Sequence, residues 1–278
     1  MTQSIGVCSW SLRPDSPENL VESVRACGLD AIQLALDPVR TQESWSVDRT
    51  RTALGEAGIR VLSGMMMMAA EDYSSLEAIA STGGVRPDAT WEENQAAARA
   101  NAALAERLGL PLVTFHAGFL PHEAGAERTK LVGRLRVLCD AFAEHGVRVG
   151  FETGQENAAT LLGVLEELDH ANAGVNFDPA NMVLYDQGEP IDALRRLAPH
   201  VVQLHVKDAV RTSVPGDWGT EVPVGTGDVD WDAFVEIVRS HPLEGDLVIE
   251  REAGEQRVED VQRAHAEITR RLQREGPR

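Results

Sequence analysis

The chain has 278 residues, of which 43% are hydrophobic, so it can form one large domain or two ordinary ones. It contains 26 Lys and Arg residues against 44 Asp and Glu residues, and the formal net charge of −18 argues against nucleic acids and anionic membranes as partners. The N-terminus lacks a signal-peptide pattern, no apolar stretch approaches the length of a membrane span, and the three cysteines lack CxxC spacing, so we expect a cytoplasmic protein with reduced thiols.

Four helical stretches end in a glycine that is followed at once by an aliphatic residue. The pairs are Gly28-Leu29, Gly58-Ile59, Gly109-Leu110 and Gly146-Val147. Glycine readily adopts the left-handed conformation that ends a helix, so each pair indicates a helix followed by a strand. In chain order, we predict strands at 5–8, 31–34, 61–65, 112–116, 148–152, 174–178, 201–205 and 247–250. Helices are predicted at 17–27, 47–57, 91–108, 127–145, 158–168, 191–197, 231–240 and 257–273.

This alternation predicts an α/β protein, a single closed (β/α)8 TIM barrel over residues 1–278. No glycine-rich dinucleotide motif follows the first strand, which disfavours an open, doubly wound sheet. The long connections 66–90 and 206–230 follow strands and should therefore lie on the C-terminal face, where such loops often wall a site. The run Met65–Met68 is interpreted as an adaptable apolar wall, and Trp218 as either a ligand-stacking or a loop-anchoring residue.

Four metal-ligand side chains end four successive apolar runs. They are Glu152, Asp178, His205 and Glu250. In a closed parallel barrel these strand ends converge on one point at the C-terminal face. Carboxylates with one imidazole suit one divalent metal ion (Mn²⁺, Mg²⁺, Co²⁺, Fe²⁺ or Zn²⁺), and no thiolate in the pattern favours zinc in particular. The alternative, four unrelated polar residues at strand ends, does not explain why all four are of metal-ligand type.

Further polar and aromatic residues occur at the same end of the predicted barrel. We expect His116, Asn181, Lys207, Arg211 and Trp10 to contact a substrate. Lys207 is two residues beyond the histidine and hence in strand phase with it. For His116 the alternative is a hydrogen-bonded structural histidine, and for Arg211 it is a solvent-facing loop residue. Trp10 follows the first strand and is a candidate for the apolar face of a sugar.

The chemistry follows from the ligand types. A divalent metal with open positions can hold two adjacent sugar oxygens and stabilise an enediolate after a proton leaves the carbon beside a carbonyl. Glu152 and Glu250, on different strands, are candidates for removing and returning that proton. Proton transfer on one face gives aldose–ketose isomerisation, and transfer on two faces gives epimerisation. The residues leave both reactions open. The exact carbohydrate substrate also stays open, although the few basic residues slightly favour a non-phosphorylated sugar. A homo-oligomer is equally possible.

Four segments resemble the xylose-isomerase-like TIM barrel superfamily of sugar phosphate isomerases and epimerases. They are FETGQE at 151–156, NFDPAN at 176–181, LHVKD at 204–208 and VIERE at 248–252. The resemblance extends over essentially the whole chain and implies that the four strand-end residues bind the metal while the two glutamates act as acid and base. In ketose 3-epimerases of that superfamily a substrate-binding Glu follows the first metal Glu by six positions. This sequence has Ala158 there, whereas Arg211 matches the arginine six positions beyond the metal histidine.

Three classes of function remain after this comparison. The leading hypothesis is a metal-dependent keto-sugar isomerase or epimerase. The second is a lyase that uses the same enolisation to expel a β-hydroxyl or β-glycosidic group, as the resemblance implies for inosose dehydratases and keto-glycoside lyases. The third is a non-catalytic sugar-binding barrel or an endonuclease IV-like repair enzyme. The acidic charge and the single metal shell disfavour the endonuclease, and the intact shell disfavours a purely binding role.

Overall fold

Eight parallel strands close into a barrel. The computed structural model describes residues 3–214, 216–241, 243 and 245–274. In chain order the strands are β1 (Ile5–Cys8), β2 (Ala31–Ala35), β3 (Arg60–Met65), β4 (Leu112–Phe115), β5 (Arg148–Glu152), β6 (Ala173–Phe177), β7 (Val201–Val206), β8 (Asp208–Val210), β9 (Thr220–Val222) and β10 (Asp246–Ile249). The barrel order is β1-β10-β7-β6-β5-β4-β3-β2, and β8 and β9 form a separate antiparallel pair. The predicted TIM barrel is therefore confirmed, with β10 as its eighth strand.

Helices surround the barrel. They are α1 (Pro17–Ala26), α2 (Leu36–Thr41), α3 (Val47–Glu56), α4 (Leu76–Thr82), α5 (Trp91–Leu108), α6 (Ala126–Ala143), α7 (Ala158–Leu168), α8 (Pro179–Leu184), α9 (Pro190–Leu197), α10 (Trp231–Ser240) and α11 (Arg257–Gln273). Each of the four predicted helix-ending glycines has a positive φ, between 67° for Gly146 and 73° for Gly28, as a left-handed helix terminus requires. Among the described residues, no helix combines the length and apolarity needed to cross a membrane.

The core has an apolar part and a polar part. Phe115, Phe151 and Phe177 are fully buried and belong to the large hydrophobic cluster between the strands and the surrounding helices. Amides and hydroxyls interrupt the apolar strands at five buried positions, namely Gln33, Ser63, Thr114, Asn176 and Gln203. These side chains bond to one another, for example Gln33 Nε2 to Thr114 Oγ1 at 2.7 Å and Gln203 Nε2 to Asn176 Oδ1 at 3.2 Å. A buried polar layer therefore lies directly beneath the C-terminal ends of the strands.

The structure adds short elements that the periodicity did not predict. Helices α2, α4 and α8 have six or seven residues, too few for a repeating apolar pattern to identify them. Helix α4 lies within the connection 66–90, and the β8–β9 pair lies within the connection 206–230. Three of the predicted strands end one residue earlier than expected, so His116, Asp178 and Glu250 are the first residues of the loops rather than the last of the strands.

Candidate metal centre and substrate cleft

Four buried side chains converge at the C-terminal end of the barrel. One ligand atom from each of Glu152, Asp178, His205 and Glu250 lies within 4.8 Å of the others. The Nδ1 atom of His205 is 3.4 Å from Glu152 Oε1, 3.6 Å from Asp178 Oδ2 and 3.4 Å from Glu250 Oε2. The closed parallel barrel produces this convergence because residues at the same end of neighbouring strands face a common axis.

The orientation of His205 leaves Nδ1 available as a ligand. Its Nε2 atom is 2.8 Å from Gln33 Oε1, and the Gln33 amide is oriented by donation from its Nε2 to Thr114 Oγ1. Because Oε1 can only accept a hydrogen bond, this contact favours a proton on His205 Nε2, which leaves Nδ1 to face the carboxylates. The amide nitrogens of Asn176 and Gln203 also lie 3.1 and 3.4 Å from Nε2. Nδ1 is buried and lacks a hydrogen-bond partner. An acceptor atom of this kind in a polar site is what a metal ligand requires.

The two carboxylate oxygens of Asp178 have different roles. Oδ1 accepts hydrogen bonds from the backbone N–H groups of Ala180 and Asn181 at 2.7 and 3.0 Å, which caps the start of α8. Oδ2 is buried without a hydrogen-bond partner and points to the cluster. Two orphaned atoms, Asp178 Oδ2 and His205 Nδ1, thus lie side by side among carboxylates. This donor set fits a divalent cation.

The two glutamates are held by fixed donors. Glu152 Oε1 accepts from Asn181 Nδ2 and Oε2 from Asn176 Nδ2, both at 3.0 Å. Glu250 Oε1 accepts from Trp10 Nε1 at 2.7 Å and Oε2 from Lys207 Nζ at 2.9 Å. Each carboxylate is therefore oriented before any ligand arrives, which is the arrangement that efficient proton transfer and metal binding both require.

The electrostatics of the cluster favour a cation at its centre. Burial opposes ionisation of Glu250, but Lys207 and His205 hold the pKa of this carboxyl well below its usual range. Burial also opposes the charged form of His205, yet the neighbouring carboxylates, Glu152 foremost, raise the pKa of the imidazole well above its usual value. Burial raises the pKa of the Asp178 carboxyl. In the absence of metal a proton on the imidazole supplies the positive charge, and a divalent cation would replace that proton.

A cleft of about 690 Å³ opens above the cluster. Its polar lining includes Glu250, Lys207, Asn181 and His116, and its apolar lining includes Trp10. Glu152, by contrast, is buried and does not line the cleft; its Oε1 accepts from Asn181 Nδ2 and lies 3.6 Å from His116 Nε2. The two candidate acid–base residues therefore differ in their access to a ligand.

The structure places four of the five predicted substrate-contacting residues in this cleft. Trp10, His116, Asn181 and Lys207 line it, whereas Arg211 does not. The guanidinium of Arg211 instead pairs with Asp186 at 2.9 Å and with Glu189 at 3.1 Å. In this structure Arg211 is thus engaged by carboxylates and does not join the other four residues in the cleft.

The two long connections form walls of the cleft, as their position after strands predicted. The first contributes Met66, Met67, Glu71 and Tyr73, and the second contributes Lys207 and Trp218. The ring of Trp218 also packs edge-to-face on Tyr185, with the ring centroids 4.7 Å apart. Trp218 therefore anchors its loop and also lines the cleft, and its stacking on a ligand stays a prediction.

A buried carboxylate organises the second connection. Asp208 accepts hydrogen bonds from the backbone N–H groups of Gly225 at 2.8 Å and Gly227 at 3.1 Å, and from Trp231 Nε1 at 2.9 Å. It also accepts from the N–H groups of Ala209 and Val229. Because successive side chains of a strand point in opposite directions, Lys207 faces the cleft while Asp208 faces away from it and holds the connection 206–230.

Sequence reasoning missed several residues of the site. Gln33 and Asn176 hold His205 and Glu152, and the signal was present as an amide within an otherwise apolar strand. Tyr73, Tyr185 and Glu252 also line the cleft. Glu252 lies 2.6 Å from Lys207 Nζ, and it could have been found because it follows Glu250 by two residues. Nothing in the local sequence identified the two tyrosines, which reach the cleft from a loop and from the end of α8.

Comparison with known proteins places this geometry in a family. A family model described as xylose isomerase-like TIM barrel matches residues 21–272. A xylose isomerase domain protein from Planctomyces limnophilus shares 33% identity and a TM-score of 0.85 over 90% of this chain and 91% of that chain. The 3-keto-D-glucoside 4-epimerase YcjR of E. coli superimposes with a TM-score of 0.73 at 15% identity over 97% of this chain and 100% of that chain, a likeness of fold alone.

Two curated relatives match parts of the chain. The 3-dehydroshikimate dehydratase of Bacillus anthracis is 28% identical over 130 residues, which are 41% of this chain and 46% of that protein. The uncharacterized protein YihM of Escherichia coli K12 is 36% identical over 76 residues, which are 27% of this chain and 23% of that protein. The chain thus spans less than half of the length of either relative. With the family model matching residues 21–272 and the closed barrel described above, the chain belongs to the xylose isomerase-like TIM barrel family.

Proposed function

We propose that the chain is a divalent-metal-dependent isomerase or epimerase that acts on a small keto-sugar by proton transfer at the carbon beside its carbonyl group. The observation that carries this proposal is the His205 Nδ1 atom, buried without a hydrogen-bond partner among three carboxylates at the base of a cleft. Epimerases and a dehydratase among the proteins of similar fold or sequence support an enzyme rather than a binding module. The metal would be held by Glu152, Asp178, His205 and Glu250.

The polar base of the cleft suits a polyhydroxylated ligand. His116 lines the cleft, and its Nδ1 has no hydrogen-bond partner within the described residues, so the imidazole can contact a substrate oxygen. Lys207 Nζ and Asn181 Nδ2 supply positive charge and a donor within the same surface. A bound divalent cation would add positive charge beside the carbonyl oxygen, which lowers the cost of removing a proton from the neighbouring carbon.

Glu250 is the better-placed proton acceptor. It lines the cleft, and its carboxylate is kept ionised by Lys207 and His205. Glu152 would act from the other side, where Asn181 Nδ2 fixes its Oε1. Transfer by one glutamate gives isomerisation, and removal by one with return by the other gives epimerisation.

The metal assignment is tested by metal analysis after purification without chelator. We expect about one equivalent of divalent metal in the wild-type protein and in Asp192→Asn, an exposed control on α9. Asp178→Asn and His205→Ala should lose most of the metal, because each removes an orphaned buried ligand atom. Full metal occupancy in both ligand variants would contradict the assignment.

The proton-transfer step is tested by turnover of a panel of free, phosphorylated and aryl-substituted keto-sugars in D₂O. We expect solvent deuterium on the carbon next to the carbonyl, and a rate about 10²–10⁴-fold lower for Glu250→Gln than for the exposed control Glu255→Gln. A product without solvent deuterium would point to hydride transfer or to different chemistry.

A lyase is the second candidate, and the partial match to a dehydratase favours it specifically. Removal of the same proton by Glu250 would then lead to loss of a β-substituent, which leaves with a proton as water or as the free aglycone. Lys207 Nζ, 2.9 Å from the Glu250 carboxylate, would keep that base ionised. Mass spectrometry of the products separates the two candidates. An isomerase or epimerase conserves the mass of the substrate, whereas a lyase releases water or a glycosidic leaving group.

A further inference from the structure

The cleft has two chemically different ends. Its base is polar and buried, and it includes the Lys207 and Asn181 side chains at 2% and 4% exposure. Its apolar part, here called the aromatic mouth, consists of Met67, Tyr73 and Trp218 from the two long connections and Tyr185 from the end of α8. Met67 is 59% exposed and Tyr73 is 42% exposed.

Exposed apolar side chains concentrate around this region. Among the described residues, the exposed large hydrophobics are Met67, Tyr73, Val210 and Val214, and all four belong to the connections 66–90 and 206–230. Large apolar side chains exposed together mark binding surfaces more often than single exposed ones do. The two that line the cleft are Met67 and Tyr73.

The polar groups near the mouth are already engaged within the protein. Asp37 accepts from the Met67 backbone N–H at 2.8 Å and from Arg40 Nη2 at 2.8 Å. Glu71 accepts from the Gly84 N–H at 2.9 Å and from the Tyr73 hydroxyl at 3.2 Å. These groups therefore offer few free partners to the hydroxyls of a second sugar ring, whereas an aromatic ring needs none.

The cationic groups at this end are engaged as well. Arg13 pairs with Glu255 at 3.0 Å, and Arg257 donates to the backbone carbonyls of Arg251 and Glu252. The surface that remains for a ligand consists of aromatic rings and methionine side chains, which contact an aromatic ring favourably.

The aromatic part of the mouth is held in place. Tyr185 packs edge-to-face on Trp218 at 4.7 Å and on Phe119 at 5.7 Å. The loop that carries Tyr73 is anchored where Gly84, at φ +65°, meets the chain beyond β4, since a Cβ at Gly84 would lie 2.0 Å from the Ala117 carbonyl oxygen. Rigid aromatic walls beside flexible methionines make an adaptable apolar pocket.

The cleft is larger than a monosaccharide requires. Its volume of about 690 Å³ lies well inside the range of roughly 300–1,000 Å³ that is typical of pockets for drug-sized ligands. Pockets of this size hold ligands that are larger than a single sugar ring. A sugar at the buried base therefore leaves the mouth for a second group.

We propose that the aromatic mouth is a subsite for an aromatic group carried by the sugar, so that the substrate is an aryl-substituted keto-sugar rather than a free or phosphorylated monosaccharide. This inference rests on the proposed function for the identity of the group at the base. The subsite itself is defined by the mouth residues and can be tested without turnover.

The test is calorimetric binding of two glycosides that lack a carbonyl group, 4-nitrophenyl β-D-glucopyranoside and methyl β-D-glucopyranoside, to the metal-loaded protein. We expect the aryl glycoside to bind at least tenfold more tightly, which corresponds to about 1.4 kcal/mol. Trp218→Ala and Tyr73→Ala should each reduce this ratio at least threefold. Val214→Ala, an exposed apolar residue of the same connection that does not line the cleft, should leave the ratio unchanged.

Three outcomes would overturn the subsite. They are equal affinity for the two glycosides, no measurable binding of the aryl glycoside at millimolar concentration, and a ratio that persists in both mouth variants. Metal content and thermal unfolding of each variant show whether the fold is retained. Because neither glycoside can be enolised, failure of the proposed reaction in D₂O leaves this result unaffected, and failure here leaves the metal and deuterium tests unaffected.

Discussion

The hydrogen bond between Gln33 and His205 should control metal affinity. Gln33 Oε1 accepts from His205 Nε2 at 2.8 Å and thereby directs the Nδ1 lone pair at the three carboxylates. Replacing Gln33 with Leu preserves side-chain size and removes the acceptor. The imidazole then loses the partner that fixes its tautomer, and its Nε2 proton stays buried without an equivalent acceptor.

The size of the effect follows from these contacts. Loss of the outer partner of a metal-ligating histidine typically lowers metal affinity about 10–100-fold. That range corresponds to about 1.4–2.7 kcal/mol of binding free energy. The unpaired buried N–H should also lower the free energy of unfolding by about 1–3 kcal/mol.

Thr114→Val is a matched control, because Thr114 Oγ1 accepts the other hydrogen bond of the same Gln33 amide at 2.7 Å without contacting His205. We expect this variant to lose stability but to weaken metal binding less than Gln33→Leu does, because Oε1 stays in place and Gln33 Nε2 keeps a second acceptor, the Gly64 carbonyl at 3.4 Å. Isothermal titration of the chelator-treated proteins with Mn²⁺ and Zn²⁺ measures both variants. If Gln33→Leu binds metal as tightly as the wild type, then Gln33 does not orient His205 Nδ1 toward the metal, and the proposed role of this hydrogen bond is wrong.

Three further predictions concern other contacts. Asp208→Ala should lower the free energy of unfolding by about 2–4 kcal/mol in denaturant titrations, because five N–H groups lose their acceptor. Burial raises the pKa of Glu156 to about 8, so the folded state binds the proton more tightly than the unfolded chain does and stability falls as pH rises from about 4.5 to 8. Glu156→Gln should therefore raise the melting temperature of the metal-free protein more at pH 8.5 than at pH 5, and the exposed control Glu123→Gln should show no such difference. Lys207→Ala should lower kcat/KM for a keto-sugar roughly 10–100-fold, because Glu250 loses a charged donor, whereas Arg211→Ala should change it less than about threefold.

The barrel could be predicted because its determinants are local. A glycine after each helix and a short aliphatic run beyond it are readable in the sequence, and Gly28, Gly58, Gly109 and Gly146 all have the left-handed conformation that this reading requires. The convergence of strand ends then follows from the topology alone, since every strand is parallel to its neighbours. The four residues of the cluster are far apart in the sequence, but the fold brings their strand ends together, so their separation did not prevent the prediction.

The contacts that tune the site could not be predicted in the same way. That Gln33 meets His205, 172 residues away, depends on the register of neighbouring strands and on a shift in pairing at Ile32/Gln33. A one-residue change of register would turn that amide out of the barrel. Similarly, Arg211 matches a family position in sequence, yet its direction is decided by Asp186 and Glu189, which come from a different loop.

Strand ends supply the polar cluster of the cleft, and loops supply its aromatic mouth, so the fold constrains the two parts to different degrees. The four proposed metal ligands come from, or directly follow, the rigid strands β5, β6, β7 and β10, whereas Tyr73 and Trp218 come from the two long connections. A strand end cannot move without disturbing the barrel, but a loop can change in length and composition at little cost to stability. Proteins that share these four residues can therefore have different loop residues around the cleft. Similarity of fold thus supports a class of chemistry, whereas the loop residues determine which substrate binds. For this chain that reasoning points to Tyr73 and Trp218, rather than to the ligands, as the positions at which substrate choice should be altered first.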